Sequence, residues 1–280
     1  MTDDDVEAAF AASQAAFEAR NERWPVTTES AELRWSRGLD RVRHLLETDP
    51  GSSWVAHDGR AVRGVAMAIV REGVWGLSLL AVAPGNQSNG VGRELLEHAL
   101  FSAAGTRGQI ILSSLDPRAM RSYARAGFGL QPAVCAFGTV RRAAIPADLG
   151  VREGGTGDLE LAAAVDREQR GGAHGSDLEV LLAARFELLV LPGRGYVFHR
   201  DGSPALLAAR DEGSAGALLW AALAASPPGR EVGVMFMTEG QRWAMDVAVA
   251  AGLDLEPCGP TFVRGELGPL RPYLPNPAYL

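Results

Sequence analysis

A short apolar segment, a glycine- and asparagine-rich loop and an amphipathic helix follow one another at residues 77–100. The loop places Gln87, Gly90 and Gly92 in the spacing Q-x-x-G-x-G, and Arg93 adds positive charge where the helix begins. The first N–H groups of a helix have no partner within it, and together with the helix dipole they bind phosphate. Glycine also lets the backbone approach a bulky anion. The pattern predicts a strand, a pyrophosphate-binding turn and a helix, although such a turn alone is equally typical of a structural connection.

A second strand and helix are predicted at residues 108–128. The segment GQIILSSL at 108–115 is rich in aliphatic and β-branched residues, as buried strands are. Asp116 then precedes a proline, which suits the first position of a helix. Ala119 and Tyr123 share one face of this helix, and a glycine ends it.

The two motifs together resemble the GNAT superfamily of acyl-CoA-dependent N-acyltransferases. That family has a loop of the form [RQ]-x-x-G-x-[GA] after its fourth strand, which residues 87–92 match. Its later helix reads roughly N-x-x-A-x-x-x-Y-x-x-x-G-F, and here Asp116 replaces the asparagine. The other positions of the helix are matched by Ala119, Tyr123, Gly127 and Phe128. The resemblance covers roughly residues 54–132.

This resemblance implies that acetyl-CoA is the co-substrate and that no metal takes part. It also implies where acetyl-CoA binds, because the family's binding residues are assigned here by their positions in the two motifs. The backbone of the fourth family strand would hold the thioester carbonyl and pair with pantetheine, and Tyr123 would act as the acid for the leaving thiolate. A phenol and a thiol have similar pKa values, which suits this transfer; the alternative is that Tyr123 only packs. The implied cofactor-binding residues are Leu80, Ala81, Val82, Gln87, Ser88, Asn89, Gly90, Val91, Gly92, Arg93, Asp116, Ala119 and Tyr123.

The implied reaction is transfer of an acetyl or short acyl group to an amine by direct attack. No cysteine or serine has a histidine at a recognisable spacing, so a covalent intermediate is not favoured. A general base is not visible, because Ser78 is the only polar side chain in VWGLSLLAV. Glu72, His57, His98 and His174 are expected to be solvated. A non-catalytic acyl-CoA-binding protein, or an enzyme of this fold using another acyl-CoA or acceptor, remain alternatives.

Composition limits the partners. The net charge of −7 and the lack of a basic stripe argue against a nucleic-acid partner. No apolar run reaches the length of a membrane span, and an acidic N-terminus is unlike a signal peptide. Cys135 and Cys258 are isolated, which disfavours disulfides and zinc and makes the cytoplasm the default. The expected acceptor is a small-molecule or protein amine, and a homodimer is left open.

Two segments of the chain recur. LLEHAL at 95–100 returns as LLWAAL at 218–223, and AGFGLQP at 126–132 returns as AGLDLEP at 251–257. We therefore predict an α/β protein of two tandem GNAT-like domains, each a mixed, mostly antiparallel sheet flanked by helices. Residues 1–142 would form the acyl-CoA-binding domain. Residues 151–280 would form the second GNAT-like domain.

The second domain is expected to be a degenerate copy. Carried across the repeat, Gln87 corresponds to Arg210, and Tyr123 to Ala248. Asp211 and Glu212 would then lie where the pyrophosphate belongs, and like charges at such range repel. A structural or substrate-shaping role is favoured for this half.

The expected elements follow from periodicity and breakers. In the first half we expect helices at 5–20 and 29–47 and strands at 53–57, 63–70 and 74–82. In the second half we expect helices at 157–169, 177–189, 215–225 and 241–251, and strands at 195–199, 205–209 and 231–237. The proline-rich tail at 268–280 cannot be helical and is expected to cross a surface of its own domain or of a partner. The first half contains Trp24, Trp35 and Trp75. Tryptophans near the first two helices could line an acceptor pocket, but two of the three are expected to be core residues.

Overall fold

The structure is a computed structural model that describes residues 1–20, 22–59 and 61–280. Its α-helices are α1 (Val6–Glu18), α2 (Ala31–Thr48), α3 (Val91–Ala99), α4 (Pro117–Arg125), α5 (Leu159–Gln169), α6 (Asp177–Ala183), α7 (Glu212–Ala224) and α8 (Arg242–Ala250). Its strands are β1 (Ser53–His57), β2 (Val62–Arg71), β3 (Val74–Val82), β4 (Gly108–Leu112), β5 (Gly129–Thr139), β6 (Arg152–Glu153), β7 (Glu187–Leu191), β8 (Gly195–Arg200), β9 (Ser203–Ala209), β10 (Glu231–Met237), β11 (Asp254–Gly265) and β12 (Tyr273–Leu274).

The strands form two sheets with helices packed on them. The larger sheet has the order β1-β2-β3-β4-β11-β5-β10, and the smaller has the order β12-β9-β8-β7-β6. Within the described ranges, β3 and β4 are the parallel neighbours and the other pairs are antiparallel. The predicted fold class, α/β with mixed and mostly antiparallel sheets, is confirmed.

The larger sheet contains strands from both halves of the sequence. Strand β11 lies between β4 and β5, pairing Phe262 with Ile111 on one side and with Leu130 on the other. Strand β10 extends the same sheet beyond β5. The fully buried Phe262 packs with Tyr123 in the core under α3 and α4. The first half therefore depends on the second half for an interior strand, while the domain limits 1–142 and 151–280 stay a prediction.

The repeated segments adopt the same local structure. Helices α4 and α8 both end at a left-handed glycine, Gly127 with φ 86° and Gly252 with φ 85°. The next residue in each case donates its N–H five residues back, from Phe128 to the Tyr123 carbonyl and from Leu253 to the Ala248 carbonyl. Glycine tolerates this positive φ, which explains its place in both copies.

A buried ion-pair cluster joins the halves. Arg71 on β2 makes two 2.8 Å bonds to the carboxylate of Asp177 at the start of α6, and a third to Asp49 at 2.7 Å. His44 on α2 lies 2.7 Å from the same Asp177 carboxylate. The Asp177 side chain is fully buried, so these bonds must offset its desolvation.

The predicted helix at 177–189 is wrong beyond residue 183. Helix α6 ends at Ala183, Arg185 has a positive φ of 59°, and Glu187–Leu191 forms strand β7. Strand β7 pairs with β8 through a tight hairpin, with Leu188 and Val190 buried. Periodicity alone does not distinguish a helix from a strand in this apolar run. Pairing with β8 in the hairpin makes it a strand.

The predicted surface course of the C-terminal tail is also wrong. Tyr273, Tyr279 and Leu280 are at most 3% exposed, and Tyr273–Leu274 forms β12 against β9. Prolines exclude a helix but not burial, and the large apolar side chains of the tail fill space between the sheets.

Candidate active site

Strands β3 and β4 diverge, and the gap between them opens a cavity. Their parallel pairing covers Val74–Gly76 and Gly108–Ile110 and, in the part of the chain that the structure describes, goes no further. Strand β3 continues to Val82 paired with β2 on its other edge. The edge that faces β4 is therefore free to pair with a ligand in the cavity, whose volume is about 650 Å³.

A β-bulge lies at the start of this free edge. Met67 pairs with Leu79 and Ala68 with Leu77, so Ser78 is the extra residue of β3. Bulges redirect side chains and recur next to active sites. Ser78 lines the cavity, and its buried Oγ has no hydrogen-bond partner among the described residues. Ser78 thus presents a free polar atom at the point where the strands separate.

The glycine-rich loop joins this edge to α3. Gly90 is the N-cap of α3 with φ 87°, a conformation that favours glycine. A Cβ on Gly92 would come within 3.3 Å of the Val82 side chain. Gln87 donates from Nε2 to the Val82 carbonyl at 3.1 Å, which anchors the loop to the end of β3. The loop therefore presents the first N–H groups of α3 with no capping side chain in front of them.

The start of α4 forms the facing wall. Asp116 caps α4 by accepting from the Arg118 N–H at 2.9 Å, and its carboxylate pairs with the Arg118 guanidinium at 2.8 Å. The hydrogen bonds from Arg118 hold the pKa of Asp116 below its ordinary value of 3.8, although burial opposes this shift. Arg118 also reaches the Ser88 hydroxyl at 3.5 Å, which links the two motifs in space.

Tyr123 lies on α4 with its ring in the core and faces the cavity. It is 5% exposed, lines the cavity, and packs edge-on against Phe262 at a ring distance of 5.4 Å. Burial raises the pKa of the Tyr123 phenol above 10, and the nearby Arg20 charge opposes this shift. The phenol therefore keeps its proton at neutral pH, and the raised pKa makes it a weaker acid toward a thiolate than a solvated tyrosine.

Most residues implied by the resemblance lie around this one cavity. Those that line it are Leu80, Val82, Gln87, Ser88, Gly90, Gly92, Arg93, Asp116, Ala119 and Tyr123. Ala81 is 1% exposed and packs in the core, so only its backbone could serve the site. Asn89 and Val91 belong to the same loop and helix start but are not among the lining residues. The individual roles of all these residues stay predictions.

Helices α1 and α2 and their connection form a wall of the cavity, and apart from Trp24 its residues were not among the predicted site residues. Gln14, Phe17, Arg20, Glu22, Trp24 and Arg41 line the cavity, together with Phe236 and Pro277 from the second half. Glu22 accepts from the Leu115 N–H at 3.1 Å. Trp24 lies 6.2 Å from the Phe236 ring. The charged and aromatic string RNERW at 20–24 was the available signal, but nothing local shows that it reaches β3.

The other tryptophans are outside the cavity. Trp35 packs edge-on against Phe10 at 4.9 Å. Trp75 is fully buried and donates from Nε1 to the Ser102 hydroxyl at 3.0 Å. Of the three tryptophans considered, Trp24 alone lines the cavity. The expectation that most of them are core residues is wrong, because Trp35 is 38% exposed and only Trp75 is buried.

The expected solvation of the histidines and Glu72 holds for some of them. His98 is exposed and stacks on Trp54, and His57 is about half exposed beside Asp5. Glu72 pairs with Arg167 at 2.6 Å. The prediction for His174 is wrong.

His174 is fully buried inside the second half. Its Nδ1 lies 2.7 Å from the Asp166 carboxylate, and its Nε2 lies 3.0 Å from the Leu280 oxygen and 3.2 Å from the Tyr273 hydroxyl. The glycines around His174 had suggested a mobile loop. The C-terminal tail instead folds back onto His174 and covers it.

In the second half, the region that corresponds to the phosphate-binding loop and the open strand edge of the first half is occupied by the chain itself. Strand β9 is followed at once by Arg210 and by Asp211, which caps α7 by accepting from the Ser214 N–H at 2.8 Å. Arg210 pairs with Glu168 at 2.9 Å. Strand β12 of the tail pairs along β9, at Leu207 and Ala208. The long loop of the first half has no counterpart here, and the chain's own tail occupies the strand edge.

Residues 1–20, 22–59 and 61–280 contain neither a metal-binding cluster nor a helix that could span a membrane. No group of three or more histidine, cysteine, aspartate or glutamate side chains is arranged to hold a metal ion. No helix in these ranges is long and apolar enough to cross a membrane.

Comparison with known proteins identifies the first half. Residues 49–129 match the family model of the acetyltransferase (GNAT) domain. No curated protein matches the sequence. The chain therefore contains a GNAT domain, as its two motifs predicted.

Solved structures extend the likeness to the whole chain. A candidate acetyltransferase from Pyrococcus horikoshii superposes with a TM-score of 0.79 at 16% identity, covering 100% of this chain and 94% of its own. A GCN5-related N-acetyltransferase from Sphaerobacter thermophilus gives 0.56 at 16%, covering 99% and 96%. A tandem GNAT protein from the clavulanic acid biosynthesis pathway gives 0.56 at 15%, covering 94% and 95%. At these identities the structures establish the fold alone.

Proposed function

We propose that the protein is an acetyl-CoA-dependent N-acyltransferase whose first half carries the site. The observation behind this proposal is the convergence of three features on one cavity of about 650 Å³. They are the unpaired edge of β3, the glycine-capped start of α3, and the buried Tyr123 phenol. Each alone has a structural explanation, but a shared cavity is what acyl transfer from a long, phosphate-bearing thioester requires.

The cofactor would lie along the first-half motifs. Pantetheine amides would pair with Leu80–Val82 along the edge of β3 that faces β4, where no strand of the described residues pairs with β3. The pyrophosphate would meet the N–H groups of residues 90–92 and the positive end of α3. Arg93 is exposed at this helix start, and its loose 3.7 Å pair with Glu97 is one that a phosphate would replace. Asp116 and Ala119 would flank the cofactor from α4.

The reaction needs an acid and a base on either side of the thioester. The amine nitrogen attacks the carbonyl carbon, the carbon–sulfur bond breaks, and the thiolate takes a proton from Tyr123. The amine must lose a proton, and we assign its acceptance to Glu22, directly or through one water. Asp116 on the cavity wall pairs with Arg118, whereas Glu22 makes no ion pair with an arginine of the described residues. Its Oε1 bond to the Leu115 N–H fixes the carboxylate while leaving Oε2 available.

The second half would support the site without binding acetyl-CoA. Its counterpart of the phosphate loop is shortened, Asp211 already occupies the helix start, and β12 covers β9. Its contributions to the first site are β11, which carries Phe262 behind Tyr123, and Phe236 on the cavity wall. We therefore propose a degenerate second copy with a structural and pocket-shaping role.

Release of free thiol from acetyl-CoA in the presence of a panel of amines tests this function. We expect amine-dependent release by the wild type. The Glu22→Gln variant should lower kcat roughly 100-fold and leave acetyl-CoA affinity unchanged. Glu18→Gln is the matched control, since Glu18 ends α1 outside the cavity lining. Tight acetyl-CoA binding without turnover on any amine would instead support a binding protein, and equal loss in both variants would remove Glu22 from the mechanism.

A further inference from the structure

The acceptor side of the cavity contains two arginines without a carboxylate partner. Arg41 on α2 and Arg20 after α1 both line the cavity, and each has a buried Nε with no hydrogen-bond partner among the described residues. Neither forms an ion pair within those residues. By contrast, Arg71, which is similarly buried, bonds both Asp49 and Asp177. We call Arg41 and Arg20 the anion subsite.

Unpaired guanidinium groups are costly in a cavity. Removing a charge from water is unfavourable unless a counter-charge or hydrogen bonds replace the solvent. Burial lowers the pKa of Arg41 from 12.5, which reports this desolvation, and Tyr279 is the nearby group that opposes the shift. An arginine nonetheless stays charged at neutral pH. A bound anion would supply the missing partner, and a carboxylate matches the planar guanidinium with two parallel bonds.

The position of the subsite indicates which reactant carries the anion. The phosphate-binding loop, Arg93 and Arg118 belong to α3, α4 and the segments before them. The anion subsite belongs instead to the α1–α2 wall, which also carries Glu22 and Trp24. Arg20 is close enough to Tyr123 and Asp116 for its charge to lower the pKa of both. Arg20 and Arg41 thus line the same cavity as Tyr123, but from the α1–α2 wall and not from the phosphate-binding loop.

We propose that the acceptor is an amine that also carries a carboxylate near the amino group, an α-amino acid or a close analogue. This inference rests on the proposed function of the same cavity. The amino group would face Glu22 and the thioester, while the carboxylate would bind Arg41 with help from Arg20. Trp24, which is 43% exposed, and Phe236 beside it would cover an apolar part of the acceptor. One carboxylate and one ammonium on the ligand would complement the charges of this wall.

The first test compares amino acids with the amines formed by removing their carboxylate. Thiol release from acetyl-CoA is measured with phenylalanine and phenethylamine, leucine and isoamylamine, and tryptophan and tryptamine. We expect kcat/KM to be at least about 10-fold higher for the best amino acid than for its amine, the size expected for charged hydrogen bonds. Equal use of both, or a preference for the amines, would overturn the inference but leave the proposed function standing.

The second test removes the positive charge. Arg41→Gln should raise KM for the amino acid about 10- to 100-fold with little change in kcat, no effect on the amines, and no change in acetyl-CoA affinity. Arg43→Gln on the same helix is the control, since Arg43 is half exposed and pairs with Asp40 outside the cavity. Thermal melts of both variants confirm folding. A tenfold loss of acetyl-CoA affinity in Arg41→Gln would place Arg41 in the cofactor site and refute the inference.

A third experiment determines whether the carboxylate that binds the anion subsite belongs to the acceptor or to the acyl group. Succinyl-CoA and malonyl-CoA are compared with acetyl-CoA at a fixed amine. We expect neither to be preferred, because the subsite would be reserved for the acceptor. If Arg41→Gln selectively abolished use of succinyl-CoA, the carboxylate would belong to the acyl group. If no amine is turned over, calorimetry of the amino acids on CoA-loaded protein decides, and no binding by wild type would overturn the inference.

Discussion

Asp177→Asn should destabilise the whole chain, because it removes the carboxylate that joins the two halves at Arg71. Asp177 is fully buried, and the Arg71 side chain is 11% exposed. Removing one partner of a buried pair costs about 3–5 kcal/mol, since the other charge stays buried. Arg71 would keep its bond to Asp49. We therefore expect the free energy of unfolding to fall by about 3 kcal/mol, the lower end of this range. For a chain of this size that corresponds to a fall in Tm of roughly 6–12 °C.

The effect should depend on pH in a defined direction. Burial tends to raise the pKa of Asp177, but the bonds from His44 and Arg71 outweigh it and hold the pKa below 3.8. A depressed folded-state pKa means that the carboxylate stabilises the protein above pH 3.8, and that this stabilisation is lost as the pH falls through the folded pKa. The Tm difference between wild type and Asp177→Asn should therefore be constant near pH 7 and shrink below about pH 4.

Thermal unfolding of both proteins between pH 3 and pH 7 measures this effect. Asp246→Asn is the matched control, because Asp246 makes an exposed pair with Arg242 on α8 and should change stability by less than about 0.5 kcal/mol. A loss below about 1 kcal/mol in Asp177→Asn, or a Tm difference that does not shrink in acid, would refute this account of the cluster.

Three further predictions concern the site and the role of the second half. Tyr123→Phe keeps the ring against Phe262 but removes the proton, and should lower kcat by roughly 10- to 1,000-fold at unchanged CoA affinity; an unchanged kcat in stopped-flow or steady-state assays would leave Tyr123 a packing residue. Residues 1–142 expressed alone lack β11, and should aggregate or unfold well below the Tm of the whole chain; a soluble fragment as stable as the full chain would contradict the shared sheet. Arg210→Ala should leave acetyl-CoA affinity intact in calorimetry, because Arg210 pairs with Glu168 on the closed second half; a tenfold weakening would assign it to a cofactor site.

The sequence predicts the first-half site well because its signals are local. The loop at 87–92 and the helix after Asp116 each carry their own capping and turn residues, so strand, loop and helix can be predicted segment by segment. The two motifs were then brought onto one cavity by the parallel pairing of β3 and β4. The structure confirms this fold.

What the sequence did not show depends on contacts between distant residues. The placement of β11 between β4 and β5 joins residues more than about 110 positions apart, and no periodicity encodes it. The burial of Tyr273 and His174 follows from the tail folding back over the second half. Glu22 and Arg41 became site candidates only when the α1–α2 wall was seen to line the cavity. In each case the residue type can be read from the sequence, but the distant residues that it contacts cannot.

Calorimetry of acetyl-CoA with three proteins tests most directly whether the glycine-rich loop of the first half is the sole cofactor site. The wild type should bind one molecule per chain. Gly90→Leu should abolish binding, whereas Gly85→Leu should retain it, since both glycines have φ near 86° and open space around them but only Gly90 caps α3. Two sites per chain, or undiminished binding by Gly90→Leu, would contradict the account.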